Sequence, residues 1–126
     1  MIKSNYIRSL LEKTKQNLKT IVLPEGEDER VLTAAHIIAS EKAAKIVILG
    51  NVAKMTAFFA QNNWSTEGID FIEPEKSPHL GEYTELLYEL RKEKGLSHED
   101  AEKLALNYNY FGTLMIKSGH ADGMVS

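Results

Sequence analysis

Apolar residues along this chain fall into two rhythms, short continuous runs and stripes at helical spacing. The runs are Thr20-Ile21-Val22-Leu23, Lys45-Ile46-Val47-Ile48-Leu49 and Ile69-Asp70-Phe71-Ile72, closed by Pro24, Gly50 and Pro74. Such runs predict short strands of a sheet covered on both faces. Between the first two, Val31, Ala34, Ala35 and Ile38 recur at i, i+3, i+4 and i+7. That spacing predicts a helix opening within Glu27-Asp28-Glu29 and burying this stripe. Asn51 is the expected N-cap of a next helix carrying Val52, Met55 and Phe59, which Asn62-Asn63 breaks. A leading helix is expected on Ile7, Leu10 and Leu11, extended by Leu18. Strand, helix, strand, helix, strand predicts parallel strands joined by right-handed crossovers.

After Pro74 the pattern is mainly helical. Tyr83, Leu86, Leu87 and Leu90 form a stripe ending at Gly95, a residue type favoured just past a helix end. Ser97 to Asp100 has the form of a capping box, opening a helix through Ala101, Leu104 and Ala105. Asn107 breaks it, and Phe111, Leu114 and Met115 predict another helix ending at Gly119. The last six residues, Ala121 to Ser126, read as a turn and a short buried strand, a segment of the sheet whose further neighbours are expected outside this chain. Ligands of open α/β sheets bind beyond the carboxyl ends of strands. The chain is therefore expected to be the first part of a longer enzyme, exposing apolar surface where further chain belongs.

Composition narrows the function classes. The 126 residues are 43% hydrophobic and 26% charged, as in an ordinary globular domain, with a net charge of -3. That charge gives no general pull toward nucleic acid or an anionic membrane, and the aromatics are not interleaved with basic residues as in a stacking platform. Cysteine is absent, which removes disulfides, thiolate nucleophiles and cysteine metal sites. No apolar stretch approaches the roughly 20 residues that span a bilayer, and the start lacks the apolar middle of a secretory signal. The expected location is the cytoplasm, with no membrane and no nucleic-acid partner.

Candidate chemistry concentrates at a few places. Pro24 to Arg30 lies at a strand-to-helix junction, where a nucleotide-binding fold docks phosphate on free backbone N–H groups. Its four carboxylates would repel phosphate, and acidic residues at a helix start read first as caps. No Walker or GxGxxG pattern occurs. His36, His79, His98 and His120 include no i, i+4 pair and no HExxH, so each reads as a surface or capping residue, and no metal ligand is expected. Arg91 ends a helix in Arg91-Lys92-Glu93-Lys94, where cations complement the dipole. It follows Leu90 on the stripe, and at the border of a buried face it would present a bidentate fork to phosphate or carboxylate.

Three stretches carry a resemblance: Ile21 to Leu32 with Leu23-Pro24-Glu25-Gly26-Glu27-Asp28-Glu29-Arg30 at its centre, Tyr88 to Gly95, and Tyr110 to Met115 leading into Gly119 to Ser126. In order and spacing they resemble blocks of the phosphate acetyltransferases (phosphotransacetylases). The resemblance implies a three-layer α/β/α fold with a mainly parallel sheet, like that of the isocitrate and isopropylmalate dehydrogenases. It implies that residues 1–126 are the amino-terminal portion of the first domain, cut short before the catalytic portion. The implied activity moves an acetyl group between coenzyme A and phosphate, giving acetyl phosphate, with coenzyme A as substrate and no cofactor. The family's acid/base aspartate and the serine and arginine that assist it match no position here, so the chain alone is expected to be inactive. Arg91 matches an arginine associated with substrate binding, and Ser126 leads into the phosphate loop, so these two are the substrate-binding candidates. A homo-oligomer is expected. The alternatives are a phosphate butyryltransferase and a noncatalytic phosphotransacetylase-like regulatory or binding module.

Overall fold

The three apolar runs become three neighbouring parallel strands. The computed structural model describes residues 18–126, so the leading-helix expectation on Ile7, Leu10 and Leu11 lies outside the described residues. Strands β1 (Thr20–Leu23), β2 (Lys45–Leu49), β3 (Ile69–Ile72) and β4 (Gly123–Met124) form one sheet in the order β3-β2-β1-β4. All pairings are parallel, with Val22 facing Val47 on one side and Met124 on the other. Five α-helices accompany them among the described residues: α1 (Glu29–Ser40), α2 (Val52–Gln61), α3 (Leu80–Arg91), α4 (His98–Ala105) and α5 (Tyr108–Lys117).

Successive side chains of a strand point to opposite faces, so each run feeds two cores. Val22, Val47 and Leu49 pack with Tyr83, Leu87, Phe111 and Leu114 from α3 and α5. Leu23, Ile46 and Ile48 pack with Leu32, Ala35, Met55 and Phe59 from α1 and α2. This is the expected α/β/α layering. At the amino end of β1 the Asp122 carboxylate accepts from the Thr20 N–H at 2.8 Å, and the Asp122 N–H donates to the Thr20 carbonyl at 2.8 Å. These two bonds set the register of β4 before its ladder begins. Gly112 lets α5 approach closely, since a Cβ there would stand 2.6 Å from Met124 Sδ and 3.2 Å from Val22 Cγ1.

The expected caps are present. Asp28 caps α1 and Asn51 caps α2 through the Lys54 N–H, and Asn107, expected only as a breaker, also caps α5. Ser97 accepts from the Asp100 N–H and caps α4.

Three expectations need correction. The stripe of α1 is rotated: its buried residues are Leu32 and Ala35, while Ala34 is exposed and Val31 and Ile38 are only half-buried. Leu90 is 52% exposed, so Arg91 does not border a buried face, and the buried residues of α3 are Tyr83 and Leu87. The last strand joins the sheet, as expected, beside β1, but it is half-buried rather than buried. Among the described residues it is an edge strand, half-buried at Gly123 and Met124, with Val125 63% exposed.

Candidate functional site

The carboxyl ends of the four strands define one edge of the sheet, and the loops leaving it carry the charged residues singled out in the sequence. After β1, the chain crosses the end of β2 closely enough that the Gly26 N–H donates to the Leu49 carbonyl at 3.0 Å. A Cβ on Gly26 would fall 2.5 Å from both that oxygen and Met55 Sδ, so glycine is required there. The loop then enters α1 at Asp28. One Asp28 oxygen accepts from the Arg30 N–H at 2.9 Å, and both oxygens take the Arg30 guanidinium, at 3.2 Å from Nε and 2.9 Å from Nη2. The Arg30 side chain beside it holds the Asp28 carboxyl below the usual carboxylate range. The acidic junction is thus a cap with its own countercharge.

After β3, Glu73 makes a cap at long range. Its Oε1 accepts from the Val52 N–H at 3.0 Å, at the start of α2, and its Oε2 lies 3.5 Å from Lys76 Nζ. The backbone bond to Val52 is the main reason its carboxyl is held below the ordinary value. Sequence reading had no signal for it, because 21 positions separate donor from acceptor. Tyr108, in the first turn of α5, is half-buried and joins Pro24 to Asp28 in lining a cavity of about 420 Å³. Burial pushes its hydroxyl up, assisted by Glu75, Glu27 and Glu73.

Arg91 closes the last turn of α3, and its guanidinium carbon stands 5.6 Å from the centre of the Tyr110 ring. Tyr110 shares the first turn of α5 with Tyr108, so Arg91 reaches the same edge as the β1 loop. Among the described residues no carboxylate pairs with Arg91, while its neighbour Lys92 is taken by Glu89 at 2.7 Å. Sequence reading gave Tyr110 within the stretch leading to Met115 and missed its contact with Arg91. Arg91 and Tyr110 are not close in sequence, and only the packing of α3 on α5 joins them.

Ser126 follows β4 and is exposed. With Val125, Glu25, Asp28 and Arg30 it lines the mouth of a groove of about 580 Å³. The groove's apolar wall includes Val31, Ala34 and Ile38, the displaced part of the α1 stripe. Ser126 and Arg91 thus both belong to the carboxyl edge, Ser126 beside the β1 loop on the α1 face and Arg91 beside the α5 cap on the other. Other cavities, near Leu18 and Lys45 and between α2 and the segment after β3, involve neither residue.

The histidines divide. His36 stacks on Trp64 with centroids 4.1 Å apart, and His98 stacks on Tyr88 at 3.5 Å. His79 and His120 meet at 4.5 Å between centroids, far from Arg91 along α3, a contact that sequence reading did not foresee. No helix among the described residues is long and apolar enough to cross a membrane.

Comparisons with known proteins agree with this architecture. The family model described as phosphate acetyl/butaryl transferase matches residues 5–126. The chain is 42% identical over 119 residues to the phosphate acetyltransferase of Helicobacter pylori, covering 94% of this chain and 23% of the relative. It is 42% identical over 125 residues to the phosphate acetyltransferase of Thermoanaerobacterium thermosaccharolyticum, covering 95% and 36%. Among solved structures, it is similar to the EutD phosphotransacetylase from Staphylococcus aureus, with a TM-score of 0.80 and 36% identity over 98% of this chain and 37% of that one. A phosphotransacetylase from Streptococcus pyogenes gives a TM-score of 0.81 at 34% identity, over 95% and 37%. The chain spans between about a quarter and somewhat over a third of the length of these relatives.

Proposed function

Because this chain belongs to the phosphate acetyl/butaryl transferase family, we propose that it serves transfer of an acetyl group between coenzyme A and inorganic phosphate. Acetyl rather than a longer acyl group is the reading supported by the relatives' names, all of which are phosphate acetyltransferase. In the reaction the coenzyme A thiol attacks the carbonyl carbon of acetyl phosphate. The new C–S bond forms, the C–O bond to phosphate breaks, and the thiol proton passes to a base. Charge on the leaving phosphate must be met by fixed donors.

The role proposed for this chain is to hold the phosphate end. The observation that carries it is the Arg91 guanidinium, held over Tyr110 at the carboxyl edge with no carboxylate partner among the described residues. A guanidinium on an aromatic face keeps its donors directed sideways, toward an oxyanion. Ser126 adds a hydroxyl at the end of β4. No residue of this chain is assigned as the base, so residues 1–126 alone should not turn over.

The test is an NMR titration of the chain with acetyl phosphate and, separately, coenzyme A. Acetyl phosphate should shift the Arg91 side-chain N–H signals and the amides of Tyr110 and Ser126. Shifts confined to the amino edge of the sheet, or turnover by the 126-residue chain, would refute this assignment.

A further inference from the structure

We infer that His79, Glu82 and His120 form a binding site for a first-row divalent transition metal, of the Zn2+, Co2+ and Ni2+ class. The site is distinct from the carboxyl edge and independent of the acyl-transfer reading. His79 occupies the N-cap position of α3, yet its side chain makes no capping bond. Glu82 lies one turn further on the same face, and its Oε2 is 3.2 Å from His79 Nδ1. His120 arrives from the turn between α5 and β4. One donor atom from each residue lies within 4.8 Å of the other two.

Ligand atoms at about 2.0–2.2 Å from such an ion stand roughly 3–3.5 Å apart. Gathering these three therefore needs only small shifts, and all three residues are exposed. Two imidazoles with one carboxylate suit Zn2+, Co2+ or Ni2+ and disfavour Mg2+ and Ca2+, which select oxygen donors. Water would fill the remaining positions. The ion would replace the direct contact between His79 Nδ1 and Glu82 Oε2.

A supporting partner is already present. The Tyr83 hydroxyl is hydrogen-bonded to His120 Nδ1, which fixes the ring and leaves Nε2 for the ion. Tyr83 is itself held rigidly, 1% exposed and edge-on to Phe111 at 5.0 Å. Such partners of ligating histidines orient the ring and raise metal affinity. A bound ion would cross-link the first turn of α3 to the turn that opens β4, and so steady the strand that presents Ser126.

The experiment uses the chain without an affinity tag, stripped by chelator and titrated with Co2+ and Zn2+. One equivalent should bind, with visible Co2+ absorption and a rise in melting temperature that grows with metal concentration. His79→Gln and His120→Gln should each abolish saturable binding, and Tyr83→Phe should weaken it about tenfold. His36→Gln and His98→Gln should leave it unchanged. Should a variant fail to fold, the wild-type imidazole NMR signals decide, since those of His79 and His120 should move before those of His36 and His98. The absence of saturable binding, binding that survives both key substitutions, or first shifts at His36 or His98 would overturn the assignment.

Discussion

The acidic stretch after β1 and the basic stretch ending α3 both reach the carboxyl edge, and they use charge in opposite ways. In Pro24 to Arg30 the capping carboxylate and the arginine are spent on each other. Asp28 caps α1 and is taken by both arms of Arg30. In Arg91 to Lys94 the helix ends in a 3-10 turn that Gly95 closes at φ +88, and Arg91 stands over an aromatic ring rather than against a carboxylate. A cluster of charged letters therefore says little until each charge's partner is known. The acidic cluster is architecture. Arg91, without a carboxylate partner among the described residues, is the better ligand candidate.

The contrast breaks most severely at Gly26. Gly26→Ala pushes a methyl against the Leu49 carbonyl and Met55, 2.5 Å away. It should cost about 1–3 kcal/mol or more, read from denaturant unfolding, because backbone cannot yield as a flexible side chain does. Next is Asn51→Ala, which removes the cap of α2 without touching a charge. It should cost about 1 kcal/mol, with no change in the acid limb of the stability profile.

The charged caps predict that limb. The folded values of Asp28 and Glu73 are depressed, so their contribution is present above the unfolded values. It is lost as pH falls through the folded ones. Melting temperature should drop as pH falls below about 4, and Asp28→Asn and Glu73→Gln should each flatten that drop. The smallest expected effect is Arg30→Ala at neutral pH, which leaves the Asp28 cap bond in place and should change stability little. A large loss there would mean that the Arg30 contact, and not the cap, organises the β1 loop.

Much of this was legible in the letters, for identifiable reasons. The strands β1, β2 and β3 were found because a sheet covered on both faces forces continuous apolar runs. Asp28, Asn51 and Ser97 were found because capping chemistry is local, whereas Asn107 was read only as a breaker. The α1 stripe misled because adjacent apolar residues on a helix do not reveal how wide the covering layer is. Ala35 is buried under β2, whereas Ala34, one position away, faces the open groove. Leu90 misled in the same way. Glu73 on Val52, Arg91 on Tyr110 and His79 beside His120 were illegible because each depends on packing between separate elements. Arg91 and Ser126 themselves came from family resemblance, and periodicity alone could not have selected them.

The most direct measurement of the central claim compares two arginines of one edge. Acetyl phosphate affinity is measured by calorimetry or NMR for the wild-type chain, Arg91→Ala and Arg30→Ala. Arg91→Ala should weaken binding about tenfold or more, as expected for loss of a charge-assisted contact, while Arg30→Ala should leave it near wild type. Equal losses in both variants, or a loss in Arg30→Ala alone, would contradict that claim.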